Sequence, residues 1–254
     1  MIFCFSGTGN SLHLAKKIAC KTEDEVIQIT EYELQLHKQY TLKEDERIGF
    51  VFPIYWWGMP KLVERFIKQL EFKNYRQQYC YVAVTYGLVS HNGTIDLRKL
   101  LKEKKIPVDA NYEVKMIDNY IVGYELKDRE HQIATLQLAE KQIDAIVIDI
   151  LNRENRQIRD IIGTTIKPIV HHAYKSVNHR KKFYVMDTCI GCRKCENECP
   201  CNAIIIRDSK PTWNDNCSFC QKCIHSCPKE SIQYGKTQGR VRYQFANVYQ
   251  ELEH

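Results

Sequence analysis

The chain opens with a short apolar run, Ile2-Phe3-Cys4-Phe5, that breaks at a glycine-rich turn. Leu12, Ala15, Ile18 and Ala19 then recur at helical spacing. Val26 to Ile29 predicts a second strand, and Arg47 to Phe52 a third that Pro53 stops. Leu62, Val63, Phe66, Ile67 and Leu70 place an apolar stripe on one face of the next helix. Tyr79 to Thr85 predicts a fourth strand ending before Gly87, and Leu97, Leu100 and Leu101 a helix stopped near Pro107. Tyr112 to Met116 predicts a fifth strand, and Ile133, Leu136, Ile143, Ile146 and Ile150 mark a long last helix. Five strands alternating with helices predict an α/β, doubly wound parallel sheet, because parallel neighbours need crossover helices.

After about residue 155 the grammar changes. The 254 residues are enough for two compact domains, and 44% hydrophobic with 27% charged residues is a globular composition. We divide the chain into residues 1–155, a linker at 156–182, a short cysteine-rich domain at 183–234 and a tail at 235–254. The tail carries no readable pattern, and its final Leu-Glu-His resembles a cloning scar. The net charge is +6, and residues 153–182 carry eight Lys/Arg against Glu154 and Asp160, which accounts for the whole excess. Such a stripe solvates an interdomain segment or meets an acidic protein partner; with no zinc-finger spacing or RNA-binding aromatics, it does not predict nucleic-acid binding. No apolar run approaches membrane-spanning length and no basic leader precedes Ile2, so the expected setting is cytoplasmic.

Nine of the twelve cysteines fall between Cys189 and Cys227. Cys189-x2-Cys192-x2-Cys195-x3-Cys199-Pro200 is repeated as Cys217-x2-Cys220-x2-Cys223-x3-Cys227-Pro228. Three thiolates on a tight loop cap three irons of a cubane, while the fourth, ahead of a proline, ligates the other cluster. Cys189, Cys192, Cys195 and Cys227 are thus expected to hold one [4Fe–4S] cluster, and Cys217, Cys220, Cys223 and Cys199 a second. Zinc also takes four thiolates, but paired CxxC knuckles suffice for it, and two complete four-cysteine runs with their prolines are more specific. Cys201 is expected to be a bystander, and Gly191 suits close approach of backbone N–H groups to a cluster. Two oxidised cubanes with their thiolates lower the chain's charge by about four units. The segment resembles bacterial-type two-cluster ferredoxins over its whole length.

Ser6-Gly7-Thr8-Gly9-Asn10-Ser11 sits between the first strand and the first helix, where N–H groups and hydroxyls can cradle a phosphate. It lacks the lysine of a P-loop and the third glycine of a dinucleotide fingerprint, a position held by Leu12. The run resembles the phosphate loop of flavodoxins, which bind FMN. The likeness extends to Pro53-Ile54-Tyr55-Trp56-Trp57-Gly58-Met59-Pro60 after the third strand, and to Thr85-Tyr86-Gly87 and Asn92-Gly93 after the fourth. In flavodoxin-like folds these loops embrace the flavin ring at the carboxyl ends of the strands, and the aromatic triplet offers it a stacking surface.

The whole chain is similar to flavodoxin–ferredoxin fusion proteins, the EFR-type ferredoxins, and Asp118-Asn119-Tyr120-Ile121 fits that resemblance. The resemblance implies electron transfer between two [4Fe–4S] clusters and FMN. Expected partners are a ferredoxin or reductase and an acceptor protein. The alternative is a reductase acting on a small-molecule substrate at the FMN, for which Tyr86 and His91 are the only proton-donor candidates. Oxygen-labile clusters suggest an anaerobic or microaerobic setting.

Overall fold

The computed structural model describes residues 1–91, 93–158, 169–174 and 179–252. Most of the basic linker and Asn92 lie outside the described residues. Five strands, β1 (Ile2–Cys4), β2 (Val26–Gln28), β4 (Ile48–Pro53), β6 (Cys80–Tyr86) and β7 (Ala110–Lys115), form one parallel sheet in the order β2-β1-β4-β6-β7. Counting sheet strands alone, that is 2-1-3-4-5, the doubly wound order whose ligand site lies where the winding reverses, between β1 and β4.

Alternation in the strands builds both faces at once. Phe3, Phe5, Phe50, Phe52, Val82 and Val84 point into one core, with α3 (Lys61–Gln69) and α4 (Ile95–Glu103) covering it. Ile2, Cys4, Val51, Tyr81, Ala83, Tyr112 and Val114 point into the other, under α1 (Asn10–Thr22) and α5 (Arg129–Leu151). Each fully buried large apolar side chain contributes roughly 1.5–3 kcal/mol. Two features escape a sequence reading. Helix α2 (Glu31–Gln35) and the parallel pair β3 (Gln39–Thr41) with β5 (Glu71–Lys73) are too short and too exposed to leave a periodic signal.

The cysteine-rich half is a two-fold repeat. Strand β8 (Phe183–Val185) pairs antiparallel with β11 (Ile232–Tyr234), and β9 (Ile204–Arg207) with β10 (Lys210–Trp213). Short helices α6 (Lys194–Asn197) and α7 (Lys222–Ser226) follow N-caps in the left-handed region, Arg193 at φ 59° and Gln221 at φ 58°. Gly191 and Phe219, and Asn202 and Glu230, match in the same way. The chain is therefore an α/β sheet domain joined to a dicluster-ferredoxin fold. Among the described residues no helix is long and apolar enough to cross a membrane.

The tail returns to the sheet domain. Tyr243, Phe245 and Val248 join the core beneath α1 and α5, with α8 (Phe245–Tyr249) against α5. The Phe245 ring stacks on His13 at 4.4 Å, and Tyr243 Oη donates to Asn10 Oδ1 at 2.6 Å. Replacing Tyr243 with Phe leaves that buried acceptor unpaired. The expected loss is about 1–3 kcal/mol of unfolding free energy, read as a lower urea midpoint at unchanged slope.

Candidate functional site

A cavity of about 300 Å³ opens at the carboxyl ends of β1, β4, β6 and β7. Its floor is the turn after β1. Gly9, at φ 112°, caps α1 without a side-chain bond, no acidic residue occupies the helix's first turn, and Ser6 Oγ accepts from Gly9 N at 3.2 Å. The positive helix end is thus free to meet an anion. Ser6, Gly7, Thr8, Asn10 and Ser11 all line the cavity. Asn10 and Ser11 also brace the loop. The Asn10 amide donates to Ile117 O at 3.0 Å, and the Ser11 hydroxyl shares a 2.7 Å bond with Thr85 Oγ1. Gly9 stays out of the lining because it faces Phe245, 2.7 Å from where a Cβ would stand.

The loop after β4 brings Pro53, Ile54, Tyr55, Trp56 and Trp57 to the wall. Tyr55 N donates to Gly58 O at 2.9 Å and Gly58 N back to Tyr55 O at 3.1 Å, closing a two-residue turn. Its central residues, Trp56 at φ 47° and Trp57 at φ 61°, occupy conformations that favour Asn-Gly. Two left-handed tryptophans cost about 1–2 kcal/mol each, a strain typical of ligand sites. Trp56 meets Tyr120 edge-on at 6.3 Å and Trp57 meets His91 at 4.4 Å. Tyr55 turns inward instead, its hydroxyl beside Gly7, where burial and then the nearby Cys220 keep the phenol protonated. Gly58 packs against the His171 ring and is not in the lining.

Thr85, Tyr86 and Gly87 complete the predicted wall. Burial, then the Glu113 carboxylate, raises the Tyr86 pKa. The structure adds Asp118, Asn119 and Tyr124 from the loop after β7, with Asn119 Nδ2 donating to Thr8 Oγ1. Asp118 accepts from Tyr120 N at 3.0 Å and bonds the Tyr124 hydroxyl. His91 is not in the lining. Further contributors carried no sequence signal for this cavity: Tyr174, from a helical turn at 169–174, and Phe219, Cys220 and Gln221 from the cysteine-rich half.

Two smaller apolar cavities lie among the cysteines. Cys189, Cys192, Cys195 and Cys227 surround one; Cys199, Cys217, Cys220 and Cys223 surround the other, with Cys201 and Cys195 at its edge. Each proline-flanked cysteine therefore crosses to the opposite ring. Cys199 Sγ accepts from Ala203 N at 3.4 Å and Cys227 Sγ from Ser231 N at 3.3 Å, the same bond in both copies. Burial pushes the Cys217 and Cys220 thiols up to about 12 and Cys195 to about 11. Cys220 borders both the second ring and the large cavity.

Hydrogen bonds fix the two halves together. Leu62 N donates to Ser218 Oγ at 3.1 Å and Lys61 N to Tyr174 Oη at 3.3 Å, satisfying the otherwise uncapped start of α3. Tyr174 Oη in turn donates to Ser218 O at 2.8 Å. His225 Nδ1 accepts from Tyr243 N, so its Nε2 donates to Asn119 O, both at 3.0 Å. Burial lowers the His225 pKa to about 4, so the ring stays neutral.

Residues 188–245 match the family model described as a 4Fe-4S dicluster domain. No curated protein matches the chain. Among solved structures, it is similar to a putative flavoprotein from Bacteroides uniformis ATCC 8492, at 19% identity and a TM-score of 0.35, covering 45% of this chain and 88% of that one. The Trp repressor binding protein from Bacillus subtilis gives 16% and 0.38, covering 63% and 100%. An FMN-dependent NADH-azoreductase from Bacillus anthracis gives 11% and 0.35, covering 59% and 96%. At these scores the assignment of the sheet rests on its own strand order.

Gly7 is a point of close approach between the two halves, since a Cβ there would stand 2.8 Å from the Cys220 carbonyl. Gly7→Ala must push backbone from backbone. The expected cost is about 1–3 kcal/mol, measured as a fall in urea midpoint.

Proposed function

We propose that this chain is an electron relay, in which two [4Fe–4S] clusters held by the cysteine rings and an FMN held in the large cavity couple one-electron to two-electron redox partners. The observation that carries this reading is the shared wall: Cys220 borders both the second ring and the large cavity. When bound, each cluster supplies one-electron steps and FMN supplies one- or two-electron steps.

The residues fit those groups. Among the described residues no three His, Cys, Asp or Glu converge tightly enough for a single metal ion, while the sulfurs stand around two cavities, the arrangement a cubane requires. Ser6, Thr8 and the N–H groups opening α1 would hold the terminal phosphate of FMN. Trp56 and Trp57 would flank its ring with flat apolar faces. Tyr55, Tyr174 and Phe219 exclude water between cavity and second ring. The first ring lies outward, with Cys192 exposed and Ile190 60% exposed beside it, and this is the face on which a one-electron protein partner would dock.

A second reading, direct reduction of a small molecule, is favoured by one observation. Asp118 and Tyr124 form a carboxylate–phenol pair in the cavity lining, able to hand on a proton.

Anaerobic purification and assay are expected to give about eight irons, eight sulfides and one FMN per chain. Eight irons without flavin, after FMN is supplied, would overturn the flavin half of the proposal. Exchanging Trp56-Trp57 for Asn-Gly keeps the turn and removes both indoles. FMN affinity, followed by flavin fluorescence, is then expected to fall at least about tenfold while circular dichroism stays unchanged.

A further inference from the structure

The cavity of the second cysteine ring contains a buried donor with nothing to donate to. Trp213 ends β10 and lines that cavity, but neither the first ring's cavity nor the large one. Its Nε1 is buried and has no hydrogen-bond partner. The indole is clamped by a parallel stack on Phe183, 4.5 Å between centroids at 7°, so it cannot swing to water. An indole N–H is a donor only, and one left unpaired in an apolar cavity is costly.

We propose that Trp213 donates its indole N–H to sulfur of the [4Fe–4S] cluster in the ring of Cys199, Cys217, Cys220 and Cys223, and so holds that cluster's reduction potential above that of the same ring without the bond. This rests on reading the ring as a cluster site. Placement supports it, because Trp213 lines the same cavity as Cys199, Cys217, Cys220 and Cys223. The repeat shows the asymmetry. Cys217 follows Cys189 by 28 positions, and 28 positions before Trp213 stands Val185, which has no donor. Among the described residues, no buried unpartnered group lines the first ring. One-electron reduction adds a negative charge that spreads onto the cluster sulfurs. A fixed N–H therefore stabilises the reduced state more than the oxidised one, and its loss lowers the potential. The competing acceptors are Gln221 Oε1 and Ser226 Oγ, both also buried, unpartnered and on the same lining.

Trp213→Phe keeps the stack on Phe183 and removes the N–H. In the anaerobically purified full-length holoprotein, iron and sulfide content should be unchanged. An EPR-monitored redox titration should show one cluster midpoint moved to more negative potential and the other unmoved. Two unmoved midpoints, the outcome if Trp213 pairs with Gln221 or Ser226, would overturn the proposal. So would equal shifts of both, which report a general change in solvent access. Should the variant fail to hold iron, wild-type protein carrying indole-15N tryptophan provides the second test. A 15N coupling to a reduced cluster supports the bond, and its absence overturns it. Wild-type protein without iron would instead sink the cluster assignment itself.

Discussion

A peptide against a glycine governs the layout of this molecule. The Cys220 carbonyl stands so close to Gly7 that a single added methyl would come within 2.8 Å of it. Gly7 belongs to the turn that opens α1, and Cys220 belongs to the second cysteine ring. Only hydrogen at position 7 lets the two loops abut. The large cavity and the second ring therefore share Cys220 and Gln221 in their walls. Any bulkier residue would either part the halves or displace one loop.

Such closeness has to be registered, and the groups that do so are mostly backbone ends that each half leaves unsatisfied alone. The start of α3 has no side-chain cap of its own and takes Ser218 Oγ and Tyr174 Oη instead. Asn119 O, on the cavity rim, receives His225. Glu31 N, opening α2, donates to Pro200 O at 2.7 Å. A hydrogen bond of this kind adds only about 0.5–1.5 kcal/mol, but an orphaned buried partner costs about 1–3 kcal/mol. The halves consequently hold one relative position rather than sliding on an apolar patch. Tyr174, Phe219, Ile121 and Tyr234 fill the space between those bonds as a third core.

What could be read from sequence follows the range of the interactions. Strands β1, β2, β4, β6 and β7 announce themselves because a parallel strand covered on both faces is written as a short apolar run, as in Ile2-Phe3-Cys4-Phe5, whose residues the structure then divides between two cores. Three cysteines of each ring are legible because their spacing lies within one loop, and the fourth because a proline follows it in the other run. Loops that follow strands carry the cavity residues Ser6 to Thr8 and Thr85 to Gly87 for the same reason. Tyr174, Phe219 and Gln221 were not legible, since only the docking of one half on the other brings them to the cavity. Tyr243 and Phe245 were not either: a tail without periodicity gives no hint that it will bury against Asn10 and His13. Gly9 and Gly58 illustrate the reverse case. Their motifs suggested ligand contact, but their missing side chains make room for Phe245 and His171.

The repeat in the cysteine-rich half shows how one backbone serves two environments. Gly191 and Phe219 occupy the same place after the first cysteine of each run, at φ 65° and 55°. Glycine takes that conformation freely, whereas phenylalanine does so at a cost of about 1–2 kcal/mol. The strain at Phe219 is offset by its surroundings, with Tyr234 at 4.7 Å and Tyr120 and Phe183 each at 6.1 Å. Nothing comparable faces Gly191, whose neighbours stand at the surface. The same holds one turn on, where Arg193 pairs with Glu196 in solvent while Gln221 is buried between two cavities. Both copies keep the left-handed positions a cysteine loop needs. The copy that meets the sheet domain has filled them with side chains that reach toward the large cavity, and the outer copy has not. Chemical asymmetry between the two rings thus arises from what each packs against, on an almost symmetric frame.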